Sequence, residues 1–186
     1  MPAIFLVLID DPSDKEKFIE IYYKYKQKMF RKANAMLKNS CLAEEAVQES
    51  FFRIAKSIKK IAFPICASTT SFIVIVVRNV CHDIHKKENV KNTVHYDEDK
   101  ENECQDNSFP DIETVVSEIG FKQVLNAVSA IDYIYGDVLK LKFLYGYTGK
   151  EISEILNISQ SAVSMRVLRG KRLLKEKLEE NGYVFK

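Results

Sequence analysis

The chain has 186 residues, 46% of them hydrophobic, and its 28 Lys and Arg residues against 26 Asp and Glu residues give a net charge of +2. This hydrophobic content excludes a wholly disordered chain, and the length suits two small domains. The apolar runs at 4–9 and 72–77 have six residues each, whereas a membrane-spanning helix needs about 20. The first run lacks a basic flank and a small-residue cleavage site, so we expect no signal peptide and a cytoplasmic protein.

The composition favours helices and reduced thiols. Only six Gly and four Pro interrupt a chain that is rich in Lys, Glu, Leu and Ile, which is typical of an all-α protein. The four cysteines, Cys41, Cys66, Cys81 and Cys104, are widely spaced and form no C-x-x-C pair. We therefore expect free thiols rather than a disulfide framework.

Positive charge is concentrated toward both ends of the chain. Residues 1–95 carry 16 basic and 10 acidic side chains, and residues 121–186 carry 11 and 7, whereas 97–113 carry one Lys and eight acidic residues. A polar, acidic stretch with few apolar side chains favours a flexible linker. The sequence therefore predicts two small helical domains, 1–88 and 112–186, joined by an acidic linker at 89–111.

The first domain is predicted to contain three helices. Ser13-x-x-Glu16 has the pattern of a capping box in front of a long amphipathic helix, and Asn39 can cap the next one. The run at 72–77 is ambiguous, because its β-branched residues favour a strand while the residues after it have helical spacing. With no partner strand evident, we expect a third helix over 71–88.

The second domain ends in a predicted helix-turn-helix. Upstream, helices are expected over 112–128 and from a cap at Asp132 to about residue 145. Thr148-x-x-Glu151 forms a second capping box, which opens a short helix; Asn157 then suits a tight turn, and Ser159 caps a last helix ending near residue 180. This arrangement is typical of DNA-binding motifs, although an ordinary amphipathic hairpin has the same outline.

The last helix divides into an apolar seam and a polar face. Val163, Val167, Gly170 and Leu174 step by four, three and four residues, so they form the predicted buried seam. Short polar side chains and Arg on the other faces suit base edges and phosphates. The candidate DNA-contacting residues are Ser159, Ser161, Ser164, Met165, Arg166, Arg169 and Arg172.

Residues 145–174 resemble region 4 of bacterial sigma factors of the extracytoplasmic-function type, in the sigma-70 superfamily. Residues 43–51, AEEAVQESF, resemble region 2 of the same family, and 72–87 align with the signature that follows it. The chain departs from the family pattern at Asp132, Gly136 and Ser161-Ala162, which bears on base preference. The resemblance implies an alternative sigma factor that directs promoter-specific initiation, with a region 2 helical bundle and a region 4 helix-turn-helix.

The resemblance also implies the partners and their surfaces. The second helix would dock on the β′ clamp helices of core RNA polymerase, the second domain would meet the β flap and the −35 element, and an anti-sigma factor is a further candidate partner. The polymerase-contacting residues are then Glu45, Gln48, Glu49 and Phe52. The −10 element, with its flipped base, would meet the loop before the third helix and that helix, through Phe63, Arg78, Asn79, His82, Lys86 and Lys87. Asn79 would either read a base edge or brace the loop.

Other functions have weaker support in the sequence. Cys81-His82-x-x-His85 lacks a further ligand at metal-binding spacing, and no phosphate-binding loop or catalytic motif is present. We therefore expect neither a metal, nor another cofactor, nor an enzyme. The alternatives are a two-domain helix-turn-helix regulator that acts without replacing a sigma factor, and a helical adaptor that binds only protein.

Overall fold

A computed structural model describes residues 2–90 and 112–183, and it confirms the all-α prediction. The described residues form two compact units, and within them we find helices and turns but no β-strand. No helix in these two ranges is both long enough and apolar enough to cross a membrane. The predicted linker at 89–111 lies outside the described residues, apart from the last two residues of the helix before it.

Within residues 2–90, the N-terminal unit forms four α-helices and one 3₁₀ turn. They are α1 (Ala3–Leu6), α2 (Pro12–Leu37), α3 (Ser40–Lys56), the 3₁₀ turn Ile58–Lys60, and α4 (Ala67–Val90). Helices α2, α3 and α4 pack against one another around an apolar core. Helix α1, which had no assigned role in the sequence, packs its Phe5 ring 5.8 Å from Phe18 and 6.0 Å from Phe51, measured between ring centroids.

The cap of α2 differs from the predicted one. The Asp11 carboxylate accepts hydrogen bonds from the main-chain N–H groups of Ser13 and Asp14, with Pro12 at the first helical position. Ser13 instead donates its hydroxyl to Asp11, so the predicted Ser13–Glu16 capping box is wrong. Asp accepts well at an N-cap, and Pro is favoured directly after it, because its missing N–H has no helical partner there. The Asn39 cap of α3 is confirmed.

The β-branched run at 72–77 is helical, as predicted. Five of its six side chains are buried, and Val74 is 38% exposed. The run is apolar nearly all round because α4 lies against both α2 and α3, so most of its faces meet protein. Tertiary burial therefore overrides the strand propensity of these residues.

The described part of the C-terminal unit, 112–183, contains five α-helices and a π-helical segment. They are α5 (Ile112–Ile119), α6 (Phe121–Ala130), α7 (Tyr133–Leu139), the π-helical segment Lys140–Leu144, α8 (Gly149–Leu156) and α9 (Gln160–Glu180). The single helix predicted over 112–128 is wrong, because Gly120 at φ 96° separates α5 from α6. Residues with a Cβ rarely adopt that conformation, so Gly breaks the helix there.

The local signals around the helix-turn-helix are confirmed. Thr148 and Glu151 form a complete capping box at the start of α8. Asn157 adopts a left-handed conformation at φ 53° and ends α8, and Ser159 caps α9. Gly170 lets α9 approach α7 closely, because a Cβ at this position would lie 3.1 Å from Cγ of Leu139.

Candidate nucleic-acid and protein interfaces

Helix α9 presents a polar edge at its N-terminus. The Ser159 hydroxyl accepts from the N–H of Ala162 at 3.1 Å and lies 2.9 Å from the Ser161 hydroxyl. Ser164 donates its hydroxyl to the Gln160 carbonyl at 3.2 Å. Ser159, Ser161 and Ser164 are all exposed, so a partner can reach this edge. Ser159 has a structural role as a cap in addition to its predicted contact.

The cationic face of α9 lies beside the buried seam. Val163, Val167, Gly170 and Leu174 are buried, which confirms the seam. Exposure then differs among the predicted contacts. Met165, Arg166 and Arg169 are half-buried, and Arg172 is exposed, with Nε 3.9 Å from the Glu176 carboxylate. The face therefore offers partly exposed Arg side chains next to a buried apolar seam, which suits a helix that reads a groove.

Helix α8 fixes the position of α9. Ile152, Ile155 and Leu156 of α8 are buried, so the short helix is anchored by its apolar face. The preceding Tyr147 is also buried, and its burial raises the pKa of the phenol far above the usual range. Tyr147 therefore contributes packing rather than a titrating group, and the Thr148 that follows it contributes the cap of α8.

The loop between the 3₁₀ turn and α4 is held by internal hydrogen bonds. Thr69 is buried and donates its hydroxyl to the Ala62 carbonyl at 3.1 Å. The hydroxyls of Tyr25 and Thr70 lie 2.6 Å apart, which joins α2 to the start of α4. Phe63 remains 55% exposed on this braced loop. An exposed aromatic ring on a fixed loop is suited to stacking on a base.

Lys17 was missed by sequence reasoning. Its ammonium donates to the carbonyls of Ile58 at 2.9 Å and Ile61 at 3.3 Å, and it pairs with Asp14 at 2.8 Å. Lys17 is only 9% exposed, so these contacts fix the point where the loop begins. A Lys on an amphipathic helix is usually solvent-exposed, and the Asp14 three residues earlier was the one signal of its pairing.

The predicted −10 residues of α4 fall into two groups. His82, Lys86 and Lys87 are exposed, and Arg78 is half-buried. Asn79, in contrast, is only 9% exposed, and its amide donates to the Ile75 carbonyl at 2.8 Å. The burial of Asn79 argues against the predicted base contact and favours a bracing role within α4.

Helix α3 carries the predicted polymerase residues on an accessible face. Glu45 and Gln48 are exposed, and Phe52 is 37% exposed, with the Lys56 ammonium 4.3 Å from its ring centroid. Glu49 is half-buried and accepts from Arg53 Nε at 2.8 Å. One carboxylate oxygen of Glu49 is therefore bound to Arg53 within the protein.

Arg53 links α3 to α4. Its side chain is 7% exposed, and Nη2 lies 2.9 Å from the carboxylate of Asp83. The same guanidinium bonds Glu49, whose side chain is 44% exposed. This network connects the candidate protein-binding helix to the candidate DNA-binding helix. The i, i+4 spacing of Glu49 and Arg53 was visible in the sequence, but the partner on α4 was not.

Two grooves adjoin these surfaces. In the N-terminal unit, Ile4, Lys26, Glu44 and Gln48 are among the residues that line a groove of ≈540 Å³. In the C-terminal unit, an apolar depression is bordered by three exposed side chains, and the π-helical segment supplies two of them. The three are Phe121, Phe143 and Leu144, which are 55%, 38% and 37% exposed.

The thiols and histidines of the described residues do not assemble a metal site. Within these ranges no group of three His, Cys, Asp or Glu side chains is placed to hold a metal ion. Cys41, Cys66 and Cys81 are free thiols. Hydrogen bonds from Ser68 and Thr69 lower the pKa of Cys66 to about 7, and burial raises that of Cys81 to about 11.

Comparison with known proteins reveals similarity in both units. Residues 21–90 match the family model for sigma-70 region 2, and residues 121–174 match that for sigma-70, region 4. The chain is 23% identical over 168 residues to the ECF RNA polymerase sigma factor SigX of Bacillus subtilis (strain 168), covering 89% of this chain and 85% of that protein. A structure of CnrH in complex with the cytosolic domain of CnrY is 12% identical and covers 88% of both chains, but its TM-score of 0.33 establishes no shared fold.

Proposed function

Because this chain belongs to the sigma-70 family, as a member of the extracytoplasmic-function type, we propose a separate role for each of its two units. The chain is an alternative sigma factor, with core RNA polymerase and promoter DNA as its partners. It directs promoter recognition as an initiation factor, and a regulator that acts without replacing a sigma factor is not favoured. We assign polymerase binding and the −10 element to residues 1–88, the −35 element to 112–186, and a connecting role to 89–111.

The exposed face of α3 is the proposed contact with the β′ clamp helices. Glu45 and Gln48 are exposed there, and Phe52 adds a partly exposed aromatic ring. Glu49 borders this face and, through Arg53, connects it to α4. A central aromatic with polar neighbours is a common composition for a protein interface.

The braced loop and α4 are the proposed −10 surface. Phe63 would stack on an unpaired base, and the Lys17, Thr69 and Tyr25–Thr70 contacts hold the loop before DNA arrives. Preorganisation of this kind reduces the entropy cost of binding. The DNA contacts along α4 are assigned to its accessible cations, with Asn79 as a brace; they are Arg78, His82, Lys86 and Lys87.

Helix α9 is the proposed −35 reader. Its exposed Ser edge would enter the major groove, and the Arg side chains would reach base edges or phosphates. The capped α8 supports it in the usual helix-turn-helix arrangement. The assigned contacts are Ser159, Ser161, Ser164, Met165, Arg166, Arg169 and Arg172.

The apolar depression of the C-terminal unit is the proposed contact with the β flap. Phe121, Phe143 and Leu144 expose large apolar side chains around it, and Lys142 and Lys171 lie over the Phe143 ring at 5.8 and 5.5 Å. Exposed apolar groups of this size, grouped around a concave surface, are a feature of protein-binding sites. An anti-sigma factor would compete for these surfaces. The proposed site of action is the cytoplasm, where core RNA polymerase and promoter DNA would be met.

The observation that carries this proposal is the presence of both matched regions, in their family order, within one chain. The test is in vitro transcription of genomic DNA by purified core RNA polymerase with and without the protein, followed by mapping of transcript 5′ ends. We expect a new set of discrete start sites that depends on the protein. Tight DNA binding without any effect on core polymerase would contradict the proposal and favour the regulator.

A charge-reversal pair separates core binding from folding. Glu45→Lys should weaken association with core polymerase and remove the new start sites, while leaving DNA binding by the C-terminal unit unchanged. Glu16→Lys is the matched control, because Glu16 is an exposed residue of α2 and the change in charge is the same. Equal loss of core binding in both variants would overturn the assignment of the α3 face.

A further inference from the structure

We propose that a lysine track on α2, consisting of Lys24, Lys28 and Lys32, binds the phosphates of the DNA strand held at the −10 surface. The proposal rests on the role assigned above to α4. Its starting point is a change of charge along α2. After Glu20, residues 21–38 contain six basic and no acidic side chains, whereas the first two turns of the helix contain Asp14 and Glu16.

The three lysines of the track lie on one flank of α2. A spacing of four residues advances a helix by about 40° beyond one full turn, so Lys24, Lys28 and Lys32 follow a shallow line along it. Tyr25 lies on this flank, with its hydroxyl 2.6 Å from that of Thr70 on α4. The Lys28 ammonium is 5.7 Å from the Tyr25 ring centroid.

The far end of the track also borders α4. The charge of Lys32 acts on the thiol of Cys81, where it lowers the pKa against the larger effect of burial. The Tyr25–Thr70 contact and the packing of α2 against α4 place this flank of α2 alongside α4, and the electrostatic effect of Lys32 on Cys81 agrees with that placement. The track is therefore continuous with the surface to which the −10 strand is assigned.

The track is open to an anionic ligand. Lys24, Lys28 and Lys32 are exposed, and in the described ranges none of them lies within ion-pair distance of a carboxylate. Adjacent α4 has no acidic residue between 67 and 82, and the following Asp83 is bound to Arg53 on the α3 side. Neighbouring positive charges repel one another, and a polyanion lying along them relieves that repulsion.

The spacing of the lysines suits a nucleic-acid backbone. Each step of four residues advances about 6 Å along the helix axis, which is comparable to the distance between successive phosphates of an extended strand. Lys26 provides a contrast, because it lies on the opposite flank of α2, where it helps to line the groove beside Gln48 of α3. Helix α2 thus has a DNA flank and a polymerase flank.

The test uses the full-length protein and a fluorescein-labelled single-stranded oligothymidylate, with binding followed by anisotropy at several salt concentrations. Each phosphate neutralised on a single strand contributes about 0.7 to the slope of log K against log salt. The variant K24Q/K28Q/K32Q should therefore reduce the slope by about 2 and lower affinity about 100-fold at about 0.1 M salt. Lys and Gln have similar helix propensities, so its thermal unfolding should match the wild type.

The matched control is K15Q/K26Q/K56Q, which removes the same charge from the N-terminal unit at positions away from the track. We expect its salt slope to remain within about 0.5 of the wild type. An equal change in both variants would overturn the proposal, because bulk charge would then explain the binding. An unchanged slope in K24Q/K28Q/K32Q would also overturn it and favour an acidic protein as the partner. The anisotropy assay contains no polymerase, so its result does not depend on the outcome of the transcription test. Failure of the lysine-track proposal can therefore be distinguished from failure of the proposed sigma-factor function.

Discussion

Substitution of Arg53 by Met tests the connection between α3 and α4. Met keeps the apolar stem but removes the guanidinium that contacts Glu49 at 2.8 Å and Asp83 at 2.9 Å. Asp83 would then retain a carboxylate that is only 23% exposed and has lost its cation. We expect the N-terminal unit to unfold at a lower temperature, because this carboxylate is poorly hydrated.

The size of the effect follows from the burial of the partners. Removal of one partner from a buried ion pair costs about 3–5 kcal/mol, and the partial exposure of Asp83 reduces this to about 2–3 kcal/mol. In a domain of this size, each kcal/mol shifts the melting temperature by about 4–8 °C, so we expect a decrease of about 10–20 °C. Glu49→Gln should cost only about 0.3–0.5 kcal/mol, because the Glu49 side chain is 44% exposed and pairs with Arg53 at i, i+4 spacing.

Differential scanning calorimetry of the full-length variants provides the measurement, and Glu49→Gln serves as the control on the same Arg. Hydrogen exchange in α3 and α4 peptides localises the change to the N-terminal unit. If R53M and E49Q melted within about 2 °C of each other, the Arg53–Asp83 bond would not hold α3 against α4, and the reasoning above would be refuted.

Three further predictions concern single residues. Gly136→Ala should destabilise the C-terminal unit by about 1–2 kcal/mol in urea unfolding, because its Cβ would lie 2.7 Å from a main-chain oxygen of α6, whereas Gly149→Ala, with open space around it, should be neutral or slightly stabilising. Cys66 should be alkylated by iodoacetamide at a rate that rises through pH 7 and levels off above pH 8, since its pKa is about 7. Cys81 should remain unalkylated, because its side chain is buried and its pKa is raised to about 11; mass spectrometry measures both sites. Arg169→Ala should weaken promoter binding by about tenfold and shorten the footprint over the −35 element; an unchanged footprint would contradict the assignment.

Local chemistry made the helix-turn-helix predictable. The side chains of Thr148 and Glu151 each accept a hydrogen bond from the main-chain N–H of the other residue. Asn157 tolerates the left-handed conformation, and Ser159 supplies a cap. Each of these signals acts within a few residues. The buried seam of α9 follows from the helical period in the same way. These features needed no knowledge of what α9 packs against.

Features that depend on distant residues were not predictable. The Arg53–Asp83 bond spans 30 positions, and Lys17 meets carbonyls more than 40 positions away. Asn79 had the pattern of a surface contact, but the packing of α4 against its neighbours buries it. The division of α5 from α6 at Gly120 was within reach, because an isolated Gly in a helical pattern is a recognised break signal.

The two flanks of α2 bear on how the free protein avoids DNA. Its net charge of +2 gives little overall attraction to a polyanion, although the units outside residues 97–113 are basic. Three lysines on one flank supply a salt-sensitive contact that is weak alone and useful once the chain is held near a promoter. Docking of the α3 face on polymerase would raise the effective concentration of the track at the −10 strand, as in any multivalent assembly. On this assignment, loss of the track should weaken promoter complexes most at low salt, because counterion release makes the contribution of its three phosphate contacts largest there.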